Sequence, residues 1–320
     1  MTITVVIPTY RRPKDLTRCL EALKKQTRQA DELLVIVRDT DTETWQLLKT
    51  FNSFPLALCA LAVTEPGLIA ALNTGLDAAT GDIVVFTDDD AVARSDWLAR
   101  IESYYVSDSC VGGVGGRDYV YRNEQLIDGA RPVVGRVQWF GRTIGNHNLG
   151  VGDAREVDIL KGVNMSFRRR AIAHLCFDRR LQGTNAQIHS EIGFCLALKK
   201  AGWTLIYDPK IAVDHYQGQR FDEEQRQIFN PLATTNIVHN HTLALLENLS
   251  PIRRAIFLLW AVLIGTKGAF GCLQFLRFLP TQGELAYQKW LASIKGRWQG
   301  WQTWRQSMPE ALPEAIARPR

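Results

Sequence analysis

The 320-residue sequence lacks several features that would assign it to a common class of protein. Its six cysteines lie far apart and form no Cys-x-x-Cys pair, which argues against a structural zinc site and against a disulfide framework. This cysteine usage fits a reducing, cytosolic setting. No apolar run is long enough to span a bilayer, and no charged segment precedes the first apolar stretch. We therefore expect neither a transmembrane helix nor a signal peptide.

Two common phosphate-binding motifs are also absent. No Gly-x-Gly-x-x-Gly follows the first apolar stretch, and no Gly-Lys-Ser or Gly-Lys-Thr loop occurs in the chain. Their absence disfavours a dinucleotide-binding domain and a P-loop nucleotidase. Any phosphate chemistry in this protein must rely on other residues.

Three consecutive carboxylates, Asp88, Asp89 and Asp90, follow four β-forming residues at positions 83–86. The pattern predicts a buried strand that delivers the acidic residues to its carboxyl end, where ligands bind in an open parallel sheet. Oxygen ligands at such a crevice suit Mg²⁺ or Mn²⁺, and these ions suit a diphosphate. The alternative interpretation is a solvated acidic turn that caps the next helix.

Strand and helix patterns alternate over residues 1–104. Strands are predicted at residues 3–8, 32–37, 56–63 and 83–86, with amphipathic helices between them. This alternation is typical of an α/β protein with a mostly parallel sheet and helices on both faces. Polar clusters follow the first, second and fourth strands, and we expect them to converge at one edge of the sheet.

The pattern becomes less regular after residue 105. Residues 117–122 alternate as an exposed strand would, and residues 123–158 are rich in Gly and polar residues, which predicts loops and hairpins. Two short strands are predicted at residues 205–209 and 211–215.

Five segments occur in the order and spacing of one enzyme family. They are VVIPTY at 5–10, ALNTGL at 71–76, DDD at 88–90, GVNMSFR at 162–168, and KAGW at 200–203 with YDP at 207–209. On these segments residues 1–216 resemble the family 2 glycosyltransferases. The resemblance implies a GT-A fold, Rossmann-like with a mostly parallel central sheet, to which this chain adds a C-terminal helical tail. It further implies transfer of a sugar from a nucleotide-diphosphate sugar to an acceptor hydroxyl, with inversion and a divalent metal.

The resemblance divides the chain into three parts. Residues 1–104 would be the nucleotide-sugar-binding half of the GT-A domain, and residues 105–230 the acceptor-binding half. Residues 231–320 would form a helical region rich in basic and aromatic residues.

The resemblance also implies a metal site for Mg²⁺ or Mn²⁺. Asp88 and Asp90 would hold the metal and the ribose, and Asp89 would be a further metal ligand. His215, after the last strand, would complete the site, and its alternative is a partly buried histidine at a strand end. The general base is expected at Glu191, the second acidic position of the family's Glu-Asp motif, whose first position is Ser190 here. The alternative for Glu191 is a helix N-terminal acid stabilised by the helix dipole.

The expected donor-binding residues follow the predicted strands or lie in the matching segments. They are Pro8, Thr9, Tyr10, Asp39, Asn73, Asp88 and Asn164. Tyr10 could equally be a packing residue, and Asp41 is expected to cap a helix rather than to bind a ligand.

The sequence departs from the family at two further positions. Leu72 precedes Asn73 where the family often has an arginine, and Arg38 replaces a common acid. These departures bear on the nucleotide, which is UDP, GDP or dTDP, rather than on the reaction class.

Two other functional classes compete with the transferase. A nucleotidyltransferase should show a Gly-rich basic loop after the first strand, which is absent, and a catalytically silent nucleotide-sugar-binding protein would differ only in activity.

The basic charge is concentrated at the C-terminus. Residues 250–320 carry a net charge of +7, whereas the whole chain carries +5, so the rest of the chain is slightly acidic. Residues 250–320 also hold five of the nine tryptophans. Their apolar runs, 255–264 and 269–279, are too short to span a bilayer, which predicts in-plane or re-entrant helices. We expect residues 251–304 to lie peripherally on the inner face of the cell membrane and to bring the active site to a glycan or lipid-linked acceptor. Nucleic acid is not an expected partner. The alternative is that these helices cover the catalytic domain or an identical partner.

Overall fold

Four parallel strands form one half of the central sheet in the computed structural model, which describes residues 1–219, 221, 225 and 228–307. Helices connect these strands, and the sheet order within this half is β3-β2-β1-β4. The elements are β1 (Ile3–Thr9), α1 (Pro13–Lys24), β2 (Glu32–Arg38), α2 (Thr42–Thr50), β3 (Leu58–Val63), α3 (Leu68–Ala78) and β4 (Ile83–Phe86). The α/β prediction for this half is confirmed.

The second half of the sheet is mixed. The strand β11 is antiparallel to both of its neighbours, β4 and β6, whereas β12 runs parallel to β6. The elements are β5 (Ala91–Ala93), α4 (Trp97–Ser107), β6 (Val111–Arg122), β7 (Gln125–Leu126), β8 (Arg136–Val137), β9 (Thr143–Ile144), a 3₁₀ turn at His147–Leu149, β10 (Arg155–Glu156), β11 (Met165–Arg168), α5 (Arg169–Ile172), α6 (Ser190–Lys200) and β12 (Thr204–Tyr216).

Alternate side chains of the central strands enter two different hydrophobic cores, as a two-residue period requires. Ile3 and Val5 of β1 pack with α1 and α4 on one face of the sheet. Val6 packs with α3 on the other face, in a core that also contains residues of α6. The apolar stripe predicted for α1 is buried, and Pro13 is its first residue.

Two local predictions were wrong. Residues 117–122 are the end of β6, a strand whose long edge β12 covers, so Arg117 and Asp118 are buried rather than exposed. The two short strands predicted at 205–209 and 211–215 are one strand, β12, with a register shift between Asp208 and Ala212. The register shift lies where Gly116 lets the backbone of β12 approach β6 unusually closely. A Cβ at Gly116 would overlap the Ile211 carbonyl oxygen.

Four helices follow the sheet. They are α7 (Pro231–Asn248), α8 (Pro251–Leu263), α9 (Cys272–Gln282) and α10 (Glu284–Gln306). The helix α10 packs closely on α7 at Gly296 and Gly300, where a Cβ would collide with the backbone of α7. In contrast, α9 buries none of its residues. Within the described part of the chain, no helix is both long and apolar enough to cross a membrane.

The close approach of β6 and β12 predicts a strong stability effect at Gly116. We expect Gly116→Ala to lower the free energy of unfolding by about 3 kcal/mol, because the added methyl group forces the two backbones apart. Gly268→Ala is the matched control, since a methyl group there would meet nothing within 4 Å. It should change stability by less than about 0.5 kcal/mol. Urea unfolding measures both, and equal effects of the two substitutions would contradict this account of the β6–β12 contact.

Candidate active site

A cavity of about 300 Å³ lies at the carboxyl ends of the first four strands, where the sequence predicted that polar residues converge. Residues from distant parts of the chain line it. They include Pro8, Thr9, Tyr10, Arg12, Arg38, Glu65, Leu68, Asp88, Asp90, Asn185 and Phe221. The acidic triplet therefore opens on a space that can hold a ligand and is more than a solvated turn.

Three side chains in the described chain form a group able to hold a metal ion. One ligand atom from each of Asp88, Asp90 and His215 lies within 4.8 Å of the others. The register of β12 explains this arrangement, because β5 follows the acidic triplet directly and pairs antiparallel with β12, placing His215 opposite Ala91. Two carboxylates and one imidazole are a donor set that fits Mn²⁺ or Mg²⁺. The structure thus brings together three of the four predicted metal ligands.

His215 is buried between two carboxylates. Its Nε2 lies 3.3 Å from Asp90 Oδ1, and its Nδ1 lies 3.4 Å from Asp118 Oδ2. Burial disfavours the protonated ring, but hydrogen bonds to Asp118 and Asp90 outweigh this and raise the pKa of His215 to about 9. Burial likewise opposes ionisation of Asp90, yet His215 and Arg12 lower the pKa of that carboxyl.

Asp89 does not lie in this group, contrary to the sequence-based expectation. Its side chain is fully buried, with one oxygen accepting a 2.7 Å hydrogen bond from the Thr9 hydroxyl. Its other oxygen lies 2.6 Å from Arg12 Nη2. The triplet forms a turn after β4, in which the Ala91 N–H donates to the Asp88 carbonyl at 3.2 Å. In this turn the Asp89 side chain is directed to β1, whereas Asp88 and Asp90 lie near His215. Asp89 therefore ties the end of β1 to Arg12.

Arg12 is a site residue to which the sequence-based predictions assigned no specific role. It pairs with Asp90 as well, through Nη1 at 2.9 Å from Oδ2. One guanidinium thus balances two buried carboxylates and also lines the cavity. The only sequence signal was its position just after a strand end.

Asp118 and Lys161 also escaped the sequence analysis. The Lys161 ammonium donates a hydrogen bond to Asp118 Oδ2, the same oxygen that faces His215. Asp118 is fully buried in β6 and holds His215 from the side away from Asp90. Lys161 immediately precedes the GVNMSFR segment, but neither residue belongs to a pattern that would reveal this contact.

Glu191 lies in the first turn of α6, as predicted, and is half-buried. Burial raises the pKa of its carboxyl, the Asp88 charge raises it further, and Lys161 acts in the opposite direction. The carboxylates of Glu191 and Asp88 are thus close enough to interact. Such a raised pKa is the property expected of a proton acceptor in a site.

Asn73 and Asn164, both predicted to bind the donor, instead hold the backbone together. Asn73 exchanges two hydrogen bonds with the backbone of Phe177, at 2.9 and 2.8 Å. The Asn164 oxygen accepts a 2.9 Å bond from Trp97 Nε1, and its amide donates to the carbonyls of Arg117 and Ile211. Both side chains are buried and use their polar atoms in these bonds, because the irregular backbone around them needs side-chain partners.

The remaining donor-site predictions divide into two groups. Pro8, Thr9 and Tyr10 line the cavity, and the Tyr10 ring meets Phe221 edge-on at 6.2 Å between centroids. Asp39 is exposed beside the cavity residue Arg38, with 3.1 Å between its Oδ1 and Arg38 Nε, and does not itself line the cavity. Asp41 caps α2, as expected, by accepting a hydrogen bond from the Thr44 N–H.

A loop from far along the chain closes the start of α3. The Asn185 carbonyl accepts from the Leu68 N–H at 2.8 Å, and Gln187 Oε1 accepts from the Ile69 N–H at 2.9 Å. Gly67, with a positive φ of 110°, allows this close contact. Residues 184–186 thereby become a wall of the cavity.

Known proteins share this architecture. Over 96% of the chain, the structure superposes on TarS from S. aureus in complex with UDP-GlcNAc, with a TM-score of 0.54, 16% identity and 92% of that chain covered. It also superposes on the mannosyltransferase PcManGT from Pyrobaculum calidifontis in complex with GDP-Man and Mn²⁺, with a TM-score of 0.55, 20% identity, and 92% and 87% of the two chains covered. These likenesses show that the fold is GT-A.

Sequence comparison gives the family. The profile of Glycosyl transferase family 2 matches residues 4–176, more than half of the chain. A relative in Haloferax volcanii, glucosyl-dolichyl phosphate glucuronosyltransferase, is 25% identical over 226 residues, which are 67% of this chain and 69% of that protein. The chain belongs to glycosyl transferase family 2. It is a glycosyltransferase that takes its sugar from a nucleotide sugar, and family membership excludes the nucleotidyltransferase alternative.

Proposed function

We propose that this enzyme is a metal-dependent, inverting transferase that moves a sugar from a UDP-, GDP- or dTDP-sugar to a hydroxyl of a glycan or a lipid-linked acceptor, in cell-surface polysaccharide or glycolipid synthesis. The observation that carries the proposal is the group of Asp88, Asp90 and His215, whose two aspartates line the strand-end cavity. Mg²⁺ or Mn²⁺ bound there would supply positive charge to the donor diphosphate.

The donor's nucleoside would occupy the cavity itself. Tyr10 and Phe221 offer apolar surface for a base, and Arg38 adds positive charge at the rim. Asp39 would reach the nucleoside from outside the cavity wall. We assign residues 1–104 mainly to the donor, residues 105–230 to the acceptor side, and residues 231–320 to a separate helical region.

Glu191 would act as the general base. Direct displacement with inversion requires one group to take the proton of the acceptor hydroxyl as that oxygen attacks the sugar. Glu191 belongs to the acceptor half, is half-buried, and is close enough to Asp88 for their charges to interact. Lys161, which lowers the pKa of Glu191, keeps the carboxylate available for this role.

The metal requirement can be tested by substitution and by chelation. Asp88→Ala and Asp90→Ala should each abolish metal-dependent turnover while leaving the protein folded. Asp90→Ala should lower the unfolding temperature, because it leaves Arg12 and His215 without one carboxylate. Asp77→Ala, an exposed aspartate on α3, is the matched control and should retain full activity. Hydrolysis of UDP-, GDP- and dTDP-sugars, with Mn²⁺ or with EDTA, measures the effect. Full activity of the wild type in EDTA would contradict the metal role.

The base can be tested by Glu191→Gln. We expect this variant to bind donor normally and to lose about 100-fold in kcat, the usual scale for removing such a group. In the wild type, kcat/KM should rise with pH through a pKa above the ordinary glutamate value, since burial disfavours the ionised form that accepts the proton. In Glu191→Gln, kcat/KM should no longer rise with pH in this range. The control Glu43→Gln, at an exposed position, should keep the wild-type pH dependence. A near-normal rate in Glu191→Gln would point instead to Asp214 or to a base on the substrate.

The last helices would place the enzyme on the inner face of the cell membrane, through residues 251–304. Apolar side chains on α8, α9 and α10 are exposed to solvent; they are Ile252, Leu259, Val262, Leu263, Ile264, Leu273, Leu276, Leu279, Leu285, Tyr287, Leu291 and Trp298. Residues 250–320 also carry a net charge of +7. An apolar surface with basic residues around it is suited to an anionic bilayer surface and to a lipid-linked acceptor.

Membrane attachment can be tested by flotation with anionic liposomes. The wild type should float at low salt, and high salt should weaken but not abolish flotation, because the apolar contribution is not screened. Leu259→Glu combined with Leu276→Glu should reduce flotation at least about tenfold, since each carboxylate repels anionic headgroups and removes apolar contact. Val106→Glu, at a side chain 69% exposed on α4, is the control. If the wild type stays at the bottom of the gradient, these helices serve only packing or dimerisation.

A further inference from the structure

Arg297 on α10 is buried in an unusual way. Its side chain is only 4% exposed, and in the described part of the chain neither its Nε nor its Nη1 has a hydrogen-bond partner. No salt bridge involves it among the described residues, and its one close contact with an aromatic side chain is the Phe257 ring at 5.6 Å. A buried guanidinium with no acceptor is a costly arrangement unless a counter-charge is bound.

The other strongly buried arginines show how this protein ordinarily treats such groups. Arg168 donates hydrogen bonds to the carbonyls of Tyr105, Asp108 and Val111. Arg117 donates to the Asn148 carbonyl and to the Asp128 carboxylate. Arg297 has the same degree of burial but no comparable partner in the described residues. The difference indicates a group kept for a ligand.

A series of side-chain contacts connects Arg297, through Phe257, to residues near Glu191. His241 on α7 lies 5.9 Å from the Phe257 ring, and its own ring is 5.4 Å from that of His189. His189 directly precedes α6, two positions before Glu191. His189 and His241 are each partly exposed, so solvent reaches the edge of this group of side chains. His241 Nε2 also lies 3.0 Å from the Thr143 hydroxyl, which adds a polar group. We call Arg297, Phe257, His241, His189 and Thr143 the arginine cluster.

Arg297 supplies the positive charge of the arginine cluster. Burial lowers the pKa of His189 to about 4 and lowers the pKa of His241 well below its ordinary value, so both rings are neutral hydrogen-bonding groups near pH 7. Burial also lowers the pKa of Arg297, to about 10, which still leaves it charged. One cation among neutral polar groups is suited to a single anionic group.

We propose that Arg297 is an anion-binding residue that receives the phosphate of the acceptor, at the arginine cluster, to which α7, α8, α10 and the start of α6 contribute. This inference rests on the proposed function. The phosphate belongs to a lipid-linked acceptor, because α8 contributes Phe257 to the arginine cluster and presents Ile252 and Leu259 to solvent, 75% and 63% exposed. An acceptor lipid in the membrane would then lie beside α8, with its phosphate directed inward to Arg297 and its sugar directed to Glu191.

The test measures thermal unfolding of the full-length protein in EDTA, with no nucleotide sugar, so that neither the metal group nor catalysis contributes. Farnesyl phosphate and farnesol differ only in the phosphate, and inorganic phosphate reports the anion alone. We expect farnesyl phosphate to raise the unfolding temperature saturably and farnesol to have little effect. Inorganic phosphate should bind at least about tenfold more weakly than farnesyl phosphate, since it lacks the apolar contact.

Substitutions then assign the effect to Arg297. Arg297→Met should weaken farnesyl phosphate binding at least about tenfold, and Arg297→Lys should retain part of it because the charge remains. Without ligand, Arg297→Met should unfold at or above the wild-type temperature, because it removes an uncompensated buried charge. Arg179→Met, the same change at an exposed position, is the control and should leave binding unchanged.

Three results would overturn the proposal. If Arg297→Met binds farnesyl phosphate as the wild type does, the anion lies elsewhere. If Arg297→Met unfolds well below the wild type, and Glu310→Gln with Glu314→Gln reproduces that loss, the counter-charge comes from the chain's own residues 308–320, which lie outside the described residues. If inorganic phosphate binds as tightly as farnesyl phosphate, the lipid-linked source is wrong. Failure of the proposed function is recognised separately, as absence of any metal-dependent donor turnover in the wild type.

Discussion

Four carboxylates, those of Asp88, Asp89, Asp90 and Asp118, are gathered at one edge of the sheet, and their mutual repulsion is the constraint on which the site depends. Three of them are almost fully buried, so each needs a nearby positive charge. Arg12 follows β1, Lys161 precedes β11, and His215 lies near the end of β12. The charge balance can be achieved only when three distant segments of the sheet are assembled together.

This balance also keeps the site ready for a ligand. Asp88 and Asp90 face the cavity, whereas Asp89 and Asp118 face inward and orient their partners. Asp89 accepts a hydrogen bond from Thr9 and thereby fixes the end of β1. Asp118 accepts one from Lys161 and thereby fixes the segment before β11. These two buried carboxylates hold in place the segments that carry the site. Rigid strand ends are suited to placing charges accurately, which is how sites of this kind stabilise a developing negative charge.

The C-terminal helices divide into two kinds of surface. The helices α7 and α10 pack closely against each other through Gly296 and Gly300, and α7 also joins the core below the sheet. The helices α8 and α9 instead leave apolar side chains in solvent, and α9 buries no residue. Within residues 251–304, Phe257 and Ala261 of α8 and the α10 face at Gly296 pack on the rest of the protein. The exposed apolar side chains of α8, α9 and α10 motivate the proposed membrane contact.

The sequence by itself determined the local features of this protein. Period-two and helical patterns located β1, β2, β4, α1 and α3, and the placement of Asp41 as a cap followed from neighbouring residues. These features depend on contacts within a few positions along the chain, where spacing alone carries the information. The fold and the family could be predicted because enough such features occurred in order. Glu191 was placed by the family resemblance, and it lies in the first turn of α6.

Only the tertiary structure decided which polar side chains face the ligand and which hold the backbone. Asn73 and Asn164 lie in the matching segments, yet they bond to groups as far away as Phe177 and Trp97, and Asp89 bonds to Thr9, 80 positions earlier. The roles of Arg12, Asp118 and Arg297 likewise depend on what lies opposite them after folding. A buried polar atom forms a hydrogen bond with a polar group that lies beside it in the folded protein. Strand register and helix packing decide which group that is, and the spacing of residues along the chain does not reveal it.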